Sequence, residues 1–394
     1  MATADLRRLA DMPHPAARSH PRTICFPFSG DSIGGSHIST LGLLKRIDQR
    51  DFRILVVPEF PEGKVAGLFG DFGQPPDPVS KSRQFVPGEA WSLRKFLRAT
   101  GGVARRARFL KRHGVDIVHI NDGRTAASWA LAARLAGTKL VWHHRGDPNA
   151  LGLRLLAPAV AHRVLAVSTF ALPRAGLWSA AGRAEVVYSP FDTDIAVDRA
   201  AAREALLREI NATGDTVMLG YFGAIVPRKR PLAFVDALCR LQALVDRPVH
   251  GLIFGEARVP AMEQELRAHI DRRNANDYIT LMGYRTPGAF WIGACDCLVV
   301  PAINEPFGRT LIEAMLVGTP VVASRSGGNI EAIDGGRGIL VEPDNPEALA
   351  HACAQLAIDP AAAQGMADRA QADARQRFGE DEHARRVTAA YARL

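Results

Sequence analysis

The chain has 394 residues, which is longer than one ordinary hydrophobic core accommodates, so we predict two domains. Hydrophobic residues make up 47% and charged residues 23%, a balance typical of globular proteins. The net charge of +8 is moderately basic, and no apolar run approaches the ~18 residues that a membrane-spanning helix needs.

Residues 1–22 lack a continuous apolar segment, so we predict a short disordered lead-in and not a secretory signal. Five cysteines are scattered through the chain: Cys25, Cys239, Cys295, Cys297 and Cys353. Without an export signal, we expect them to be reduced and buried and the protein to be cytoplasmic. Cys295 and Cys297 have no second cysteine pair nearby, so they do not predict a metal site.

Strand-like and helix-like patterns alternate along the first half of the chain. The strand-like runs are RTICFPF, FRILVVPE, DIVHIN, KLVWHH, RVLAVS and EVVYSP, and the helix-like runs include ISTLGLLKRI and AASWALAARLAG. This alternation predicts a parallel sheet with helices on both faces. We assign residues 23–193 to an N-terminal Rossmann-like domain.

The alternation restarts after a polar helical connector. The strand-like runs are now VMLGYFG, VHGLIFGE, YITLMGY, CDCLVVPA, PVVAS and GILVEP. They predict a second doubly wound α/β domain over residues 194–377, followed by an Ala/Arg-rich helical tail. Two such domains in tandem imply a cleft, and open parallel sheets bind ligands at the carboxyl ends of their strands.

Residues 91–114 form a strongly basic stretch. It contains eight cations and no acid: Arg94, Lys95, Arg98, Arg105, Arg106, Arg108, Lys111 and Arg112. Such a basic stretch, with aromatic and leucine side chains interleaved, suits an anionic surface, either lipid headgroups or nucleic acid, and a solvated helical face is the alternative. We predict peripheral contact with the inner face of the cytoplasmic membrane and no nucleic-acid partner.

A glycine-rich loop follows the first strand and contains Gly30, Gly34 and Gly35. Glycines let the backbone approach a ligand closely, and the N-terminus of the following helix favours anions. The spacing is not G-x-G-x-x-G, so the dinucleotide fingerprint is absent. A tight strand–helix connection is the alternative explanation.

Three consecutive cations, Arg228, Lys229 and Arg230, follow the first strand of the second domain. At the carboxyl end of a strand they are well placed to bind a phosphate or diphosphate. An exposed run of loop charges is the alternative.

The strand-like run KLVWHH ends on His143 and His144, and Arg145 follows. Adjacent side chains of a strand point to opposite faces. We therefore expect one histidine to face the cleft and the other to pack inward.

Two glutamates, Glu305 and Glu313, flank the start of a predicted helix in INEPFGRTLIEAM. A carboxylate accepts two hydroxyl hydrogen bonds well, which suits the vicinal diol of a sugar. The apolar neighbours of Glu313 argue against a solvated surface position, and we expect it to face the same cavity as Glu305.

The segment DCLVVPAINEPFGRTLIEAMLVGTPVVASRSGGNIEAI closely resembles the signature segment of family 4 retaining glycosyltransferases. It contains Glu-x-Phe-Gly, a second glutamate, a Gly-Thr-Pro-Val-Val turn and the pair Gly327-Gly328. Weaker matches extend over nearly the whole chain. The resemblance implies the GT-B fold, in which two Rossmann-like doubly wound α/β domains face each other across a cleft. It also implies that residues 378–394 form a terminal helix that packs back onto the first domain.

The resemblance also implies roles for individual residues. Glu305 would bind the donor sugar, Lys229 would neutralise the diphosphate, and His144 would lie near the reacting face of the sugar. Glu313 would bind the ribose hydroxyls. The other predicted donor-binding residues are Gly34, Gly35, Arg228, Arg230, Gly283, Tyr284, Phe307, Gly308, Arg309, Thr310 and Leu311. The acceptor-side candidates are His143, Arg145 and Asp147.

Three departures from the family pattern concern the cleft. Gly223-Ala224 stands where Gly-Arg is common, and the missing cation would come from Arg228 or Arg230. Ser189-Pro190 replaces the usual Asn-Gly, and Arg145 adds a charge beside the histidines.

The implied activity is transfer of a hexose from a nucleotide-diphosphate sugar to a hydroxyl acceptor, with retention and without a metal or cofactor. The acceptor would be a glycan, a lipid-linked sugar or a small glycoside of bacterial glycan, glycolipid or glycoside biosynthesis. A sugar-nucleotide epimerase, a sugar phosphorylase and an inactive transferase-like binding subunit are the alternatives.

Overall fold

The computed structural model describes residues 20–79 and 102–394. Most of the predicted lead-in lies outside these residues, as does the first part of the basic stretch, including Arg94, Lys95 and Arg98. Within the described ranges the chain forms two sheets of six strands, and every strand pairs in parallel with its neighbours.

The first sheet contains β1 (Arg22–Phe28), β2 (Phe52–Pro58), β3 (Ile117–Ile120), β4 (Lys139–His144), β5 (Arg163–Ala166) and β6 (Ala184–Val186). Its helices are α1 (Gly35–Arg46), α2 (Lys64–Leu68), α3 (Val103–Arg112), α4 (Gly123–Ala136) and, after a π-helical turn at Gly152–Leu156, α5 (Ala157–Val160). The strand order is β2-β1-β3-β4-β5-β6, so the direction of winding reverses between β1 and β3. A crevice at the carboxyl ends of these two strands follows from that reversal.

The second sheet contains β7 (Val217–Phe222), β8 (Val249–Phe254), β9 (Ile279–Gly283), β10 (Cys297–Val300), β11 (Val321–Ser324) and β12 (Ile339–Val341). Its order, β12-β11-β10-β7-β8-β9, reverses between β7 and β10. The surrounding helices are α6 (Arg199–Glu209), α7 (Pro231–Leu241), α8 (Pro260–Arg272), α9 (Gly288–Ala294), α10 (Arg309–Leu316), α11 (Gly328–Ile333), α12 (Pro346–Ile358) and α13 (Pro360–Arg377). The predicted boundary near residue 194 falls between the two sheets and stays a prediction.

The strands are apolar because helices cover both faces of each sheet. Every residue of β8 and of β10 is buried. In the first half, Trp129 and Trp142 are the largest buried side chains of the core. All five cysteines are free thiols, and four of them are buried; Cys239 is half-buried.

The chain returns to the first half in α14 (Glu380–Ala392). Val387 and Tyr391 pack in one core cluster with Ile24 of β1 and Leu43 of α1. Glu380 forms an ion pair with Arg46 at 3.0 Å. The last helix therefore belongs structurally to the first sheet, although it follows the second sheet in sequence.

Helix α3 contains the described part of the basic stretch. Its exposed cations are Arg105, Arg108, Lys111 and Arg112. Arg106 is buried, forms an ion pair with Asp77 at 3.0 Å and lies 5.1 Å from the centre of the Trp129 ring. The prediction that counts Arg106 among the surface cations is wrong, because its position on the helix turns it toward the core.

Candidate functional site

A cavity of about 690 Å³ lies between the carboxyl ends of the two sheets. Its walls come from loops after β1, β3 and β4 in the first half and after β7, β8 and β10 in the second. Both winding reversals therefore open into the same space, as the topology of open sheets requires. The predicted residues that line it are Gly35, His143, His144, Arg145, Arg228, Lys229, Glu305, Phe307, Gly308, Arg309 and Thr310.

Glu305 is a buried carboxylate paired with two cations. Arg228 Nη1 lies 2.6 Å and Lys229 Nζ 3.6 Å from Glu305 Oε2. A β-carbon on Gly327 would lie 2.4 Å from the Glu305 carbonyl oxygen, and Gly328 N donates to that oxygen at 2.7 Å. The glycine pair is thus required because the Glu305 loop passes directly against its backbone.

Of the three consecutive cations, the structure brings two to the cavity. Arg228 and Lys229 sit in a 3₁₀ turn and point to Glu305. Arg230 forms an ion pair with Asp344 at 2.8 Å and does not line the cavity. Of the two candidates for the missing cation, only Arg228 lies at the cavity, so its role in place of the family's usual arginine stays a prediction, while Arg230 is turned away.

Helix α10 begins at the cavity wall. Leu311 N and Ile312 N donate to the Gly308 carbonyl oxygen at 3.1 and 3.3 Å. The N–H groups of Arg309 and Thr310 precede these and have no acceptor within the helix, as at every helix start. Their partial positive charge makes this end of α10 suitable for an anion.

Arg309 connects the two halves across the cavity. Its guanidinium donates a hydrogen bond to Ser39 Oγ at 3.0 Å and lies 4.2 Å from the centre of the Phe191 ring. A β-carbon on Gly35 would lie 2.8 Å from Arg309 Cδ, so glycine at this position leaves room for the arginine. Arg309 therefore occupies the space beside Gly35, one of the predicted donor-binding glycines.

Glu313 lies one helical turn behind the cavity wall. Its carboxylate is 3.8 Å from the Arg309 guanidinium and is not part of the lining. Burial raises the pKa of Glu313, and the nearby charges of Arg309 and Lys229 act in the opposite direction. The expectation that both glutamates face one cavity is therefore met only by Glu305.

Five further predicted residues are also absent from the lining: Gly34, Asp147, Gly283, Tyr284 and Leu311. Leu311 is fully buried in the core, and Tyr284 is 72% exposed. Gly34 directly precedes the first residue of α1, and its N–H donates to His37 Nδ1 in the first turn of that helix. The Gly283 carbonyl oxygen accepts a hydrogen bond from Gly255 N. Asp147 is exposed, and its Oδ1 accepts from Asn149 N in a local turn.

The two histidines at the end of β4 have different surroundings. His144 Nε2 lies 3.0 Å from the Asp147 carbonyl oxygen at the cavity wall. His143 packs inward, with its Nδ1 3.3 Å from His119 Nε2 on β3. Burial lowers the pKa of both residues, so both are neutral at pH 7.

Arg145 reaches over the first half of the cavity. It contacts Ser189 Oγ at 2.9 Å, His143 Nδ1 at 3.3 Å and Asn121 Oδ1 at 3.4 Å. Burial lowers its pKa to about 9, and the like charge of Arg309 adds to this effect. Asp147 is not among its partners.

Sequence analysis missed several residues of this site. Asn121 and Asp122 line the cavity directly after β3, and polar residues at a strand's carboxyl end were an available signal. His383 and Tyr391 of α14 were missed because no local pattern connects them to β4. The Tyr391 hydroxyl lies 2.6 Å from His119 Nδ1, and the His383 ring stacks 5.6 Å from that of His143.

Two features are absent from residues 20–79 and 102–394. These residues contain no group of three or more His, Cys, Asp or Glu side chains arranged to bind a metal ion. They also contain no helix that is both long enough and apolar enough to cross a membrane.

Two facing Rossmann-like sheets with the ligand cavity between them define the GT-B architecture, which confirms the predicted fold class. Residues 33–195 match the model of Glycosyltransferase Family 4, and residues 216–359 match that of Glycosyl transferases group 1. The chain therefore belongs to the family 4 (group 1) glycosyltransferases, as the signature segment predicts.

Two curated relatives show the range of this similarity. A D-inositol 3-phosphate glycosyltransferase of Kribbella flavida is 33% identical over 219 residues, 53% of this chain and 50% of the relative. The lipopolysaccharide core biosynthesis mannosyltransferase LpsB of Rhizobium meliloti is 31% identical over 182 residues, 45% of this chain and 51% of the relative. The chain thus spans about half the length of the curated relatives it matches.

Solved structures match nearly the whole chain. Anabaena Alr3699/HepE in complex with UDP and glucose superposes with a TM-score of 0.79 at 24% identity, covering 95% of this chain and 100% of HepE. A glycosyltransferase from Rickettsia africae has a TM-score of 0.77 at 20% identity, with coverages of 94% and 98%. At these identities the similarity establishes the fold alone.

Proposed function

We propose that this protein transfers a hexose from a nucleotide-diphosphate sugar to a hydroxyl acceptor, with retention at the anomeric carbon. The main support is the arrangement of Arg228, Lys229 and Glu305 beside the free N-terminus of α10, facing the first half across the cavity. Cations and backbone N–H groups are what a diphosphate needs. Because the HepE structures contain UDP and UDP-glucose, we propose a UDP-linked hexose as the donor to test first.

In this proposal the second half stabilises the leaving group. Negative charge develops on the departing diphosphate, and Lys229 and the N-terminus of α10 lower the free energy of that charged state. This requires no metal. The leaving phosphate accepts the proton of the acceptor hydroxyl, and attack occurs on the same face of the sugar.

Glu305 binds the donor sugar and is not a nucleophile in this proposal. Both of its cation contacts use Oε2, so we assign Oε1 to the hydroxyls of the sugar. His144 lies on the opposite wall, near the reacting face. Glu313 binds the ribose hydroxyls after a local rearrangement beside Arg309, and the chain near Gly283 and Tyr284 contacts the base.

Membrane contact is a separate part of the proposal. The exposed cations of α3 place positive charge on the first half, where a lipid-linked acceptor at the inner face of the cytoplasmic membrane would bind. Flotation with anionic liposomes at low salt tests this contact. Flotation with neutral and anionic liposomes to the same extent would remove the electrostatic argument.

The deciding experiment for the activity is a donor screen without acceptor. UDP, GDP and ADP sugars are incubated with the protein, and slow hydrolysis is followed by release of the nucleoside diphosphate. A transferase releases free sugar, an epimerase gives an epimeric sugar nucleotide, and a phosphorylase requires a sugar phosphate. Calorimetric titration with the three nucleoside diphosphates accompanies the screen; a folded protein that binds none of them contradicts the proposal.

A further inference from the structure

Arg145 is a cation in the cavity wall that has no anionic partner in the part of the chain that the structure describes. Its contacts, with Ser189, Asn121 and His143, are all to neutral groups. Within the described residues no carboxylate lies within 4.0 Å of it. A cation removed from water without a counter-charge is unfavourable, so this position requires a physical explanation.

The other cations nearby differ from Arg145 in this respect. Arg228 and Lys229 share Glu305, and Arg309 lies 3.8 Å from Glu313. Arg258 also lines the cavity but is exposed to solvent. Arg145 therefore combines enclosure with the lack of a compensating acid.

Two donor nitrogens at this end of the cavity are buried and unsatisfied. Among residues 20–79 and 102–394, Arg145 Nε and Asn121 Nδ2 find no hydrogen-bond partner, and Asn121 as a residue is only 2% exposed. Buried donors are nearly always paired in folded proteins. Unpaired donors beside an uncompensated cation are the surroundings that a phosphate or carboxylate oxygen would complete.

A buried histidine chain fixes the position of the guanidinium. Arg145 donates to His143 Nδ1, so that nitrogen is an acceptor and carries no proton. His119 Nε2 then donates to the same atom, and Tyr391 donates to His119 Nδ1. The chain of bonds runs from α14 to the cavity without a charged group other than Arg145.

We propose that Arg145, with Asn121, forms a subsite for a phosphate or carboxylate carried by the acceptor. This rests on the proposed transferase function and narrows its substrate class to anionic acceptors, such as sugar or polyol phosphates and uronates. The acceptor is the assigned source because Arg145 extends from the first half, whereas the diphosphate-binding elements of our proposal belong to the second. The diphosphate of the donor is the other source of the same chemistry, and the experiment separates the two.

The test compares wild type with Arg145→Gln, which removes the charge, and Arg145→Lys, which keeps it but loses the planar fork. Acceptors are supplied in pairs, each charged compound beside its uncharged parent: glucose 6-phosphate or glucuronate with glucose, and inositol phosphate with inositol. Both acceptor-dependent release of nucleoside diphosphate and calorimetric binding to the nucleotide-saturated protein are measured. Arg174→Gln, an exposed arginine outside this cavity, is the matched control.

We expect wild type to prefer the charged member of at least one pair, and Arg145→Gln to raise its KM or Kd about 100-fold. Affinity for the nucleoside diphosphate should stay within about twofold, since that ligand does not contact Arg145 in this proposal. Arg145→Lys should retain part of the preference. If Arg145→Gln fails to fold, the Lys variant alone decides, because loss of the fork must still weaken the charged acceptor.

Other results overturn the proposal. Equal binding of charged and uncharged acceptors by wild type would remove the subsite. Loss of nucleotide affinity in Arg145→Gln would assign the arginine to the donor diphosphate instead. If wild type binds no nucleotide, the transferase function fails, and the sugar phosphates are titrated into the nucleotide-free protein; binding that depends on Arg145 then supports an anion site, and its absence ends that idea separately.

Discussion

The two walls of the cavity neutralise charge in different ways. In the second half, Arg228 and Lys229 lie beside the carboxylate of Glu305, and all three come from loops of one sheet. In the first half, Arg145 is surrounded by neutral histidine, serine and asparagine side chains, and the histidines are fixed by a helix more than two hundred residues further along the chain.

In our proposal, the wall of the second half binds the diphosphate, which is constant, and the wall of the first half binds the acceptor, which varies. A diphosphate always has the same shape and charge, so one local motif can supply its contacts. An acceptor has no fixed chemistry, and its contacts are assembled from segments that tertiary structure brings together. Substitutions in the two walls should therefore change different kinetic parameters.

The largest effect is expected for Lys229→Ala. In our proposal Lys229 stabilises the leaving diphosphate, so its loss should lower kcat/KM about 1000-fold, because that stabilisation is needed in the transition state. Steady-state kinetics with the best donor measures this. Arg230→Ala is the matched control from the same loop, since Arg230 pairs with Asp344, and should change kcat/KM by less than about threefold. Equal losses in the two variants would contradict the distinction between these neighbours.

Glu305→Gln should lower kcat about 100-fold while leaving affinity for the free nucleoside diphosphate nearly unchanged. The variant keeps the shape of the side chain but leaves Arg228 and Lys229 without their carboxylate. It would also weaken the contact with the sugar that we propose for Glu305. Rates with the donor sugar and calorimetry with the nucleotide alone separate these two contributions. Nucleotide affinity that falls as far as kcat would place Glu305 on the diphosphate instead.

The neutral histidines of the first half predict a strong pH dependence of stability. Burial lowers the pKa of His119 and His143 well below 6.5 and that of His383 to about 3. The unfolded chain therefore binds protons that the folded chain does not, and stability falls as pH decreases below about 6.5. Each histidine contributes up to about 1.4 kcal/mol per pH unit.

Urea unfolding at pH 7.5 and at pH 5.5 measures this slope. His383→Gln should reduce the loss of stability on acidification relative to wild type. The exposed His351→Gln, on α12, should leave the loss unchanged. An identical loss of stability in wild type and His383→Gln would mean that folding does not lower the pKa of His383.

Glu313→Gln is expected to have the smallest effect on activity, a rise of about tenfold in donor KM with little change in kcat, because it would remove the ribose contact that we propose for this carboxylate. The same substitution should increase the stability of the protein at neutral pH. Burial raises the pKa of Glu313, so the folded protein is destabilised by this group above the raised pKa and recovers as pH falls below it. The variant should therefore be more stable than wild type at pH 7 but not at pH 4, which thermal unfolding at both values would show. An unchanged donor KM would remove the ribose role.

Much of the fold was predictable because both sheets are covered on two faces. Their strands are then short apolar runs separated by helical patterns, and all twelve strands coincide with runs that the sequence marks. The Glu305 loop was recognisable from its sequence because Gly327 and Gly328 approach its backbone so closely that only glycine fits at those two positions.

Other features depended on tertiary contacts that leave no local pattern. Arg230 has the same sequence signal as Lys229, but its backbone is left-handed at the start of α7 and its side chain pairs with Asp344 away from the cavity. Arg106 resembles its basic neighbours until Asp77 pairs with it in the core. The link from Tyr391 to Arg145 requires the return of α14, which no periodicity in β4 could indicate.

That return has a mechanical consequence. The chain crosses between the two halves twice, near Phe191 and near Phe378, and Phe191 N donates to the Phe378 carbonyl oxygen at 2.8 Å. A single crossing segment would allow the two halves to rotate about several axes. Two crossing segments joined by a hydrogen bond restrict the motion to a hinge about one axis. Arg309, at the start of α10, stacks on Phe191 beside this hinge. Filling of the donor site and the angle of the hinge are therefore expected to change together.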